Sequence, residues 1–313
     1  MTEEYAVEIN GLTKTFGQQT AVDQVSFNIK RGEVFGLLGP NGAGKTTTLR
    51  MMTTLLQPTS GDIKIFGHDV KTESQTVRSL FGLTGQYASV DEDISARENL
   101  MIFSRLNGLS RQEAKDRTAE LLEEFSLVNS ADKAISNFSG GMRRRLDLAV
   151  SLITRPALIF LDEPTTGLDP RTRTRTQMWD TIRQLVAAGS TIVLTTQYLE
   201  EADELADRIA VIDHGKLVSI GTPAELKAQV GGAKLRVEVV DDAQAEQARG
   251  VMADTLPATP QVTRNVVEVA IDDINTVAGV LQAITAAGVT MTNMSVEQPS
   301  MDDVFFALTV GKN

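Results

Sequence analysis

Residues 39–46, which read GPNGAGKT, constrain the fold of this chain more than any other stretch, because they fit the pattern G-x-x-x-x-G-K-[ST]. The stretch follows EVFGLLG, an apolar run that predicts a buried β-strand, and precedes TTTLRMMTTLL, which predicts a helix. Glycines allow backbone N–H groups to close around phosphate oxygens, and the helix N-terminus adds positive potential. The stretch therefore predicts a phosphate-binding loop between a strand and a helix.

Two side chains of this loop have specific predicted tasks. Lys45 can reach the β- and γ-phosphates of a nucleotide, and the hydroxyl of Thr46 is placed for Mg²⁺. The candidate nucleotide contacts in this segment are Gly39, Asn41, Gly42, Gly44, Lys45, Thr46 and Thr47. The loop therefore predicts a nucleotide bound together with Mg²⁺.

The stretch ALIFLDEP places two adjacent carboxylates directly after a predicted buried strand. The strand would bring Asp162 to the carboxyl edge of the sheet, where its carboxylate can hold Mg²⁺ through water. Glu163, the next residue, can polarise an attacking water as a general base. An acidic strand cap is the weaker interpretation, because both carboxylates follow a buried strand and precede Pro164.

The rest of the pattern predicts a doubly wound α/β core with additions. The apolar runs ALIFLD, TIVLTT and RIAVID alternate with helical stretches, which predicts a parallel sheet, whereas residues 5–30 alternate as antiparallel strands do. The region of residues 87–155 is mostly helical in pattern. The pair Gly231-Gly232 predicts a linker between domains at 1–230 and 231–313. The second domain is predicted to be a small α+β unit with a regulatory or dimer-stabilising role.

Composition excludes several classes of function. The chain contains no cysteine, which rules out disulfides and thiolate metal sites, and its two histidines lie far apart in sequence. A formal net charge of −11 argues against a nucleic-acid partner. No apolar stretch approaches the roughly 20 residues that span a bilayer, and the acidic start MTEEYAVEIN does not resemble a signal peptide. Work at a membrane would therefore need a partner that spans it.

The stretch NFSGGMRRRLDLA contains a Ser-Gly-Gly turn that opens a predicted helix. Such a turn can cradle an anion through Ser139 and the amides of Gly140 and Gly141, although alone it is a common motif. Beside GPNGAGKT and LDEP it resembles the signature motif of the ATP-binding cassette (ABC) ATPases. The resemblance implies a P-loop NTPase fold of the ABC type. It also implies a shared site, in which Ser139 to Met142 of one subunit close on the nucleotide held by the other.

Further positions follow from this resemblance. Phe16 in KTFG matches the aromatic residue that stacks on adenine, although on pattern alone it would be an ordinary core residue. Gln86 in LTGQYASV matches the glutamine that bridges Mg²⁺ and the interface with the membrane partner. Asp169 in TTGLDP matches the loop that communicates between the two sites. The N-terminal strands and the helical region match the antiparallel β subdomain and the helical subdomain of the family.

Two departures narrow the resemblance. Met142 stands where a glutamine is common, and Gln197 ends a strand that usually ends in a histidine. The run LTTQYLEEADELADRIAVIDHGKL and the tail PSMDDVFFALT closely resemble the daunorubicin-resistance type of ABC ATP-binding subunit. Such subunits pair with a separate membrane permease and export drugs or lipid-like compounds. The resemblance therefore implies a homodimeric ATPase that uses ATP and Mg²⁺ at the cytoplasmic face of the membrane, held there by its permease.

Gln197 has three interpretations: a strand cap, a degenerate non-hydrolysing site, or a working replacement for the histidine. A glutamine amide can donate a hydrogen bond to a phosphate oxygen and can orient a water, but it carries no titratable proton. We favour the working replacement because the other predicted catalytic and metal-binding residues are all present. The acidic run that follows, LEEAD, predicts a solvated helix face.

Two other functions compete with transport. An ABC ATPase that acts on ribosomes or DNA is disfavoured by the single cassette, the absence of a predicted coiled coil and the acidic balance. A regulatory nucleotide sensor requires that Gln197 mark a decayed site. The basic run Arg143 to Arg145 is interpreted either as a local anion site or, more simply, as a solvated helix face.

Overall fold

A computed structural model describes residues 4–85, 90–166, 173–230, 232–271 and 273–309. It divides into two compact units, Met1–Thr222 and Pro223–Asn313. The sequence predicts the boundary later, at the glycine pair, because glycines are the strongest local linker signal there. The short helix between the two positions groups with the second unit, since it packs against the last helix of the chain.

The first unit contains ten strands and seven α-helices among the described residues. In chain order they are β1 (Tyr5–Phe16), β2 (Gln19–Lys30), β3 (Val34–Leu38), α1 (Lys45–Met52), β4 (Ser60–Ile65), β5 (His68–Asp69), α2 (Ser74–Arg78), β6 (Phe81–Thr84), α3 (Ala96–Leu106), α4 (Arg111–Glu124), α5 (Gly140–Ser151), β7 (Leu158–Asp162), α6 (Arg173–Ala187), β8 (Thr191–Thr196), α7 (Leu199–Leu205), β9 (Arg208–Asp213) and β10 (Lys216–Gly221).

The core of this unit is a six-stranded sheet in the order β10-β9-β3-β8-β7-β6. All its pairings are parallel except that of β10 with β9. Strands β3, β7 and β8 are buried along their whole length, which explains their near-continuous apolar sequences. The predicted doubly wound parallel core is confirmed, and the carboxyl ends of β3, β7 and β8 lie together at one edge.

The N-terminal strands form a separate antiparallel sheet in the order β2-β1-β4-β5. Their apolar residues alternate toward a shared core that also includes residues of α1 and of the main sheet, among them Leu49 and Phe160. This arrangement places β2 beside the phosphate-binding loop. The N–H of Asp23 in β2 donates to the carbonyl of Gly215, and the N–H of Gly215 donates to the carbonyl of Ala43 in the loop. The predicted antiparallel strands are therefore confirmed.

The helical region contains α3, α4 and α5. Two of these helices begin with a capping box, in which Ser95 pairs with Glu98 and Ser110 pairs with Glu113. Their apolar faces meet around Phe125 and continue into the underside of the main sheet. The prediction of a helical subdomain is confirmed by this layer.

The second unit has its own core around an antiparallel sheet in the order β12-β13-β11-β14. Its elements are α8 (Pro223–Ala228), β11 (Ala233–Val239), α9 (Asp242–Thr255), β12 (Gln261–Thr263), β13 (Val266–Ile271), α10 (Thr276–Ala286), β14 (Met291–Glu297) and α11 (Met301–Thr309). The run QVTRNVVEVAI forms a hairpin of β12 and β13. Arg264 turns the chain at a φ of 57°, and the Asn265 side chain bonds the carbonyl of Val239 at 3.0 Å.

No helix within the described ranges combines the length and the apolar character needed to cross a bilayer.

Candidate functional site

The loop at residues 39–44 can be built only with glycine at two of its positions. A Cβ on Gly39 would lie 2.2 Å from the carbonyl oxygen of Ile212, and a Cβ on Gly44 would lie 2.6 Å from that of Ala21. Gly44 also has a φ of +108° immediately before α1 begins. The loop therefore presses its backbone against β9 and β2 and directs the first N–H groups of α1 toward the open edge of the sheet.

Lys45 is the first residue of α1 and its side chain points back into the loop. Its Nζ donates to the carbonyls of Gly39 at 2.7 Å and Pro40 at 3.0 Å, and only 4% of the residue is exposed. Burial lowers the pKa of Lys45, and the carboxylates of Glu163 and Asp162 act in the opposite direction. The two acidic residues are therefore electrostatically coupled to the ammonium that the sequence predicts as a phosphate ligand.

Asp162 ends β7 and faces two hydroxyl groups. Its Oδ1 accepts from Thr195 Oγ1 at 2.6 Å and from Thr46 Oγ1 at 3.4 Å. The hydroxyl of Thr46 and the carboxylate of Asp162, predicted to hold Mg²⁺ together, are thus neighbours. Oxygen donors of this kind fit Mg²⁺, which in nucleotide sites takes one or two protein oxygens together with substrate phosphates. No group of three or more His, Asp or Glu side chains arranged for a metal occurs in the described part of the chain.

Glu163 has an unusual backbone for a non-glycine residue, with a φ of 50°. Its N–H donates to both the carbonyl and the Oγ1 of Thr195, each at 3.1 Å, and its Oε2 accepts from Thr166 Oγ1 at 2.9 Å. Strained backbone of this kind is held in place by surrounding bonds and is concentrated at functional sites. These bonds fix the predicted general base against the end of β8.

Gln197 follows directly after β8. This strand lies between β3 and β7, with Thr196 opposite Leu38 and Thr195 opposite Asp162. The residue is half-buried at the same sheet edge as Lys45 and Glu163. Parallel pairing therefore brings the strand ends that carry three of the predicted catalytic residues side by side.

Phe16 is not part of the core. Half of the residue is exposed at the end of β1, and the Nζ of Lys14 lies 5.2 Å from the centroid of its ring. The interpretation of Phe16 as an ordinary core residue is therefore wrong. An exposed ring with a neighbouring ammonium can stack on a base and bind an adjacent anion.

Ser139 caps α5, and its Oγ accepts from Met142 N at 3.3 Å. Ser139 and Gly140 are exposed, and a Cβ on Gly140 would meet nothing within 4 Å. The predicted Ser-Gly-Gly turn at a helix start is thus present on the surface. Two further predicted site residues, Gln86 and Asp169, lie outside the described residues.

Sequence analysis missed two buried charged residues beside the site. Arg144, interpreted as part of a solvated face or an anion site, is largely buried and donates to main-chain carbonyls at the ends of β6 and β7. Its spacing is the signal that could have found it, because Arg144 shares a helical face with the buried Gly141 and Leu148.

The interpretation of LEEAD as a solvated helix face is wrong for Glu201, because this residue is fully buried. Burial raises the pKa of Glu201, while the nearby polar side-chain groups of Thr196, Thr165 and Trp179 act to lower it. Neither of its carboxylate oxygens has a partner in hydrogen-bond geometry among the described residues. Glu201 and the buried Leu205 are four positions apart on α7, which is the spacing that points both into the protein.

Comparison with families of known proteins gave two matches. A family model described as ABC transporter matches residues 22–166. A second model, described as ATP-binding protein DrrA1-3-like, C-terminal domain, matches residues 221–309.

Curated relatives match most or nearly all of the chain. The chain is 46% identical over 306 residues to the daunorubicin/doxorubicin resistance ATP-binding protein DrrA of Streptomyces peucetius. This match covers 97% of the chain and 92% of that protein. It is 42% identical to the doxorubicin resistance ATP-binding protein DrrA of Mycobacterium tuberculosis, over 98% of this chain and 94% of that protein. The Nod factor export ATP-binding protein I of Sinorhizobium fredii is 44% identical over 73% of this chain and 66% of that protein.

Two solved structures match 72% and 69% of this chain. The cbiO1 subunit from Clostridium perfringens, part of an ABC transporter complex, has a TM-score of 0.67 and 25% identity, and the match covers 72% of this chain and 92% of that chain. A dimeric ATP-binding cassette in a post-hydrolysis state, bound to ADP and Pi, has a TM-score of 0.62 and 26% identity, with coverage of 69% and 98%.

Proposed function

The chain belongs to the ATP-binding subunits of ABC transporters, in the daunorubicin-resistance family, and from this membership we propose that it hydrolyses ATP to power the export of a drug or lipid-like compound through a separate membrane permease. Relatives with 42% and 46% identity are named as resistance proteins for doxorubicin or daunorubicin. A further relative is named for Nod factor export. Resistance to a drug and export of a Nod factor both support the transport of a compound out of the cell.

The observation that carries the hydrolysis proposal is the meeting of Lys45, Thr46, Asp162 and Glu163 at one sheet edge. Asp162 bonds the hydroxyl of Thr46, and both acidic residues act on the pKa of Lys45. A site with a cation, oxygen ligands and a fixed carboxylate supports phosphoryl transfer to water.

We assign the chemistry as follows. The ammonium of Lys45 and the N–H groups at the start of α1 bind the phosphates, and the exposed ring of Phe16 stacks on the adenine. Mg²⁺ held by Thr46, Asp162 and Gln86 would neutralise charge on the phosphates and orient them. Glu163 takes the proton of the water that attacks the γ-phosphorus, and ADP and phosphate leave. Gln197 donates from its amide to the γ-phosphate and orients that water.

We further propose that two copies of the chain share each site. The turn at Ser139 and Gly140 would close on the nucleotide of the second copy, because both residues are exposed at the start of a helix. Asp169 would lie in the loop that communicates between the two sites. A related cassette has been solved as a dimer with ADP and Pi bound.

The proposed location is the cytoplasmic face of the membrane, where the permease would hold the subunit peripherally. The relatives are named as ATP-binding proteins of resistance and export, and this supports a partner that forms the pathway.

The test is steady-state ATPase activity of the purified chain, alone and with its co-purified permease. Wild-type protein should hydrolyse ATP, and the permease with its substrate should change the rate. Glu163→Gln should retain ATP binding and lose turnover by at least about a hundredfold, because the amide cannot accept the proton. Full turnover by this variant would refute the assigned mechanism. An ATPase rate that does not change when a permease is added would instead favour an ABC ATPase with no role in transport. ATP binding without turnover in the wild-type protein would favour a nucleotide sensor.

A further inference from the structure

Arg144 lies in the second turn of α5, the helix that Ser139 caps, and only 12% of its side chain is exposed. All three of its guanidinium nitrogens donate to main-chain carbonyls. The bonds run from Nη1 to Gly85 at 2.6 Å, from Nη2 to Asp162 at 2.9 Å and to Glu163 at 3.1 Å, and from Nε to Pro164 at 3.0 Å. One side chain therefore contacts the backbone of both predicted acidic site residues.

The four carbonyls belong to the carboxyl ends of two neighbouring strands. Strands β6 and β7 pair in parallel, with Thr84 opposite Leu161, and Gly85 and Asp162 follow at the same level. Gly85 is also the residue before Gln86, and Glu163 and Pro164 follow β7 directly as the chain turns away from the sheet. Arg144 thus joins the two strand ends from which predicted site residues emerge.

The chemistry of the guanidinium suits this role. It is planar, with five N–H donors in a fixed fork, so that several simultaneous bonds define its position and the position of its acceptors. Burial lowers the pKa of Arg144, while Asp147, Asp162, Glu201 and Glu163 raise it, and an arginine remains charged under these conditions. Bonds from a charged donor are stronger than those between neutral groups.

We propose that Arg144 is a positioning residue for ATP hydrolysis, which holds the main chain of residues 162–164, and with it the Glu163 carboxylate, at a set distance from the start of the helix that Ser139 caps. The inference deepens the proposed function and rests on it. Ser139 and Arg144 are five residues apart, or about 7.5 Å along the helix axis. One short stretch of α5 therefore connects the turn offered to the nucleotide of the second copy with the general base of this copy.

A purely structural role is the alternative, and the chain contains a matched example of one. Arg117 of α4 is also a buried arginine, with 10% of its side chain exposed. It donates to the carbonyls of Leu152 at 2.6 Å and Ile153 at 3.2 Å, which are not predicted site residues. Loss of Arg117 should cost stability alone, whereas loss of Arg144 should also slow the chemical step.

The experiment compares Arg144→Met, Arg144→Lys and Arg117→Met in the full-length chain. Steady-state kcat and KM, the Kd for a fluorescent ATP analogue and the Tm are measured for each. Arg144→Met should lower kcat at least about tenfold with Kd changed less than about twofold, because the base is misplaced while the phosphate loop is intact. Arg144→Lys should recover part of kcat, and Arg117→Met should lower the Tm and keep kcat.

Two results would overturn the inference. One is a kcat for Arg144→Met within about twofold of wild type. The other is a loss of kcat that follows the fall in Tm equally in the Arg144 and Arg117 variants. If Arg144→Met does not fold, Arg144→Lys tests the inference, because a lysine keeps the charge but cannot bond four carbonyls. A wild-type kcat for Arg144→Lys would then refute the inference. Wild-type protein without ATPase activity would refute the proposed function instead.

Discussion

At the scale of single residues, Gln197 stands at the end of β8, beside the strand that ends in Asp162. An imidazole at this position could exchange a proton near neutral pH, whereas an amide can only donate and accept hydrogen bonds. Proton transfer from water is therefore assigned to Glu163 alone. In the proposed mechanism the amide orients the attacking water, and this role does not depend on the protonation state of Gln197.

We expect Gln197→Ala to lose about a hundred- to a thousandfold in kcat, because one hydrogen-bond donor to the reacting phosphate is removed. Gln197→His should keep part of the activity, since an imidazole N–H can replace the amide donor. The measurement is steady-state ATPase activity at saturating ATP. Tyr198→Phe is the neighbouring control and should keep wild-type activity. Wild-type turnover by Gln197→Ala would reduce Gln197 to a strand cap.

Glu201 provides a test based on pH. Burial raises its pKa, and the charged groups around it are Arg175 and Arg144. A carboxyl whose pKa is raised by folding stabilises the protein below the ordinary glutamate pKa, and this stabilisation is lost as the pH rises through the raised value. Glutamine has the same shape and does not titrate.

The Tm of Glu201→Gln relative to wild type should therefore increase as the pH rises from the acid range to neutrality. Thermal unfolding across this range measures the difference. Glu204→Gln on the same helix is the control, because Glu204 is exposed and its ion pair with Arg183 contributes little. A Tm difference for Glu201→Gln that stays constant or falls with rising pH would contradict the burial argument.

At the scale of elements, the helical layer depends on its caps. Both α3 and α4 are capped by a serine whose hydroxyl accepts a hydrogen bond from the third helical N–H. The glutamate at that third position accepts a hydrogen bond from the backbone N–H of the serine. These pairs can be recognised in the sequence as S-x-x-E before a helical pattern. The caps therefore explain why these two helices start where they do, and their apolar faces pack in the cluster that includes Phe125.

Ser110→Ala should lower the free energy of unfolding by about 1 kcal/mol, because the N-terminal N–H groups of α4 lose their acceptor. Chemical denaturation measures the change, and ATPase activity should be unaffected because Ser110 bonds only within its own cap. Ser110→Asp keeps an acceptor and should restore most of the stability. Equal losses for the alanine and aspartate variants would exclude the cap as the cause.

At the scale of the whole molecule, the chain consists of two compact units with separate cores. The second core includes Leu235, Val237 and Val269 of the sheet and Val280 and Ile284 of α10. A unit with its own sheet, helices and core can fold alone.

Residues 223–313 expressed alone should therefore unfold cooperatively, as shown by circular dichroism during heating. Val237→Asp is the matched control and should abolish the transition, because a carboxylate would be buried in the centre of this core. A broad, non-cooperative melt of the wild-type segment would show that the second unit depends on the first.

The sequence alone determined the phosphate loop, the strand that ends in Asp162 and Glu163, and the parallel core, because these depend on local patterns: glycine spacing, apolar runs and strand–helix alternation. It also carried the family resemblance, through motifs in a fixed order. Only the tertiary structure decided where the buried charges lie. Arg144 and Glu201 look like surface residues in the sequence, since charge runs are usually solvated. Helical spacing places both residues on faces with buried neighbours, but their burial depends on β6, β7 and α6 packing beside α5 and α7, and local spacing does not show which distant segments cover a helix.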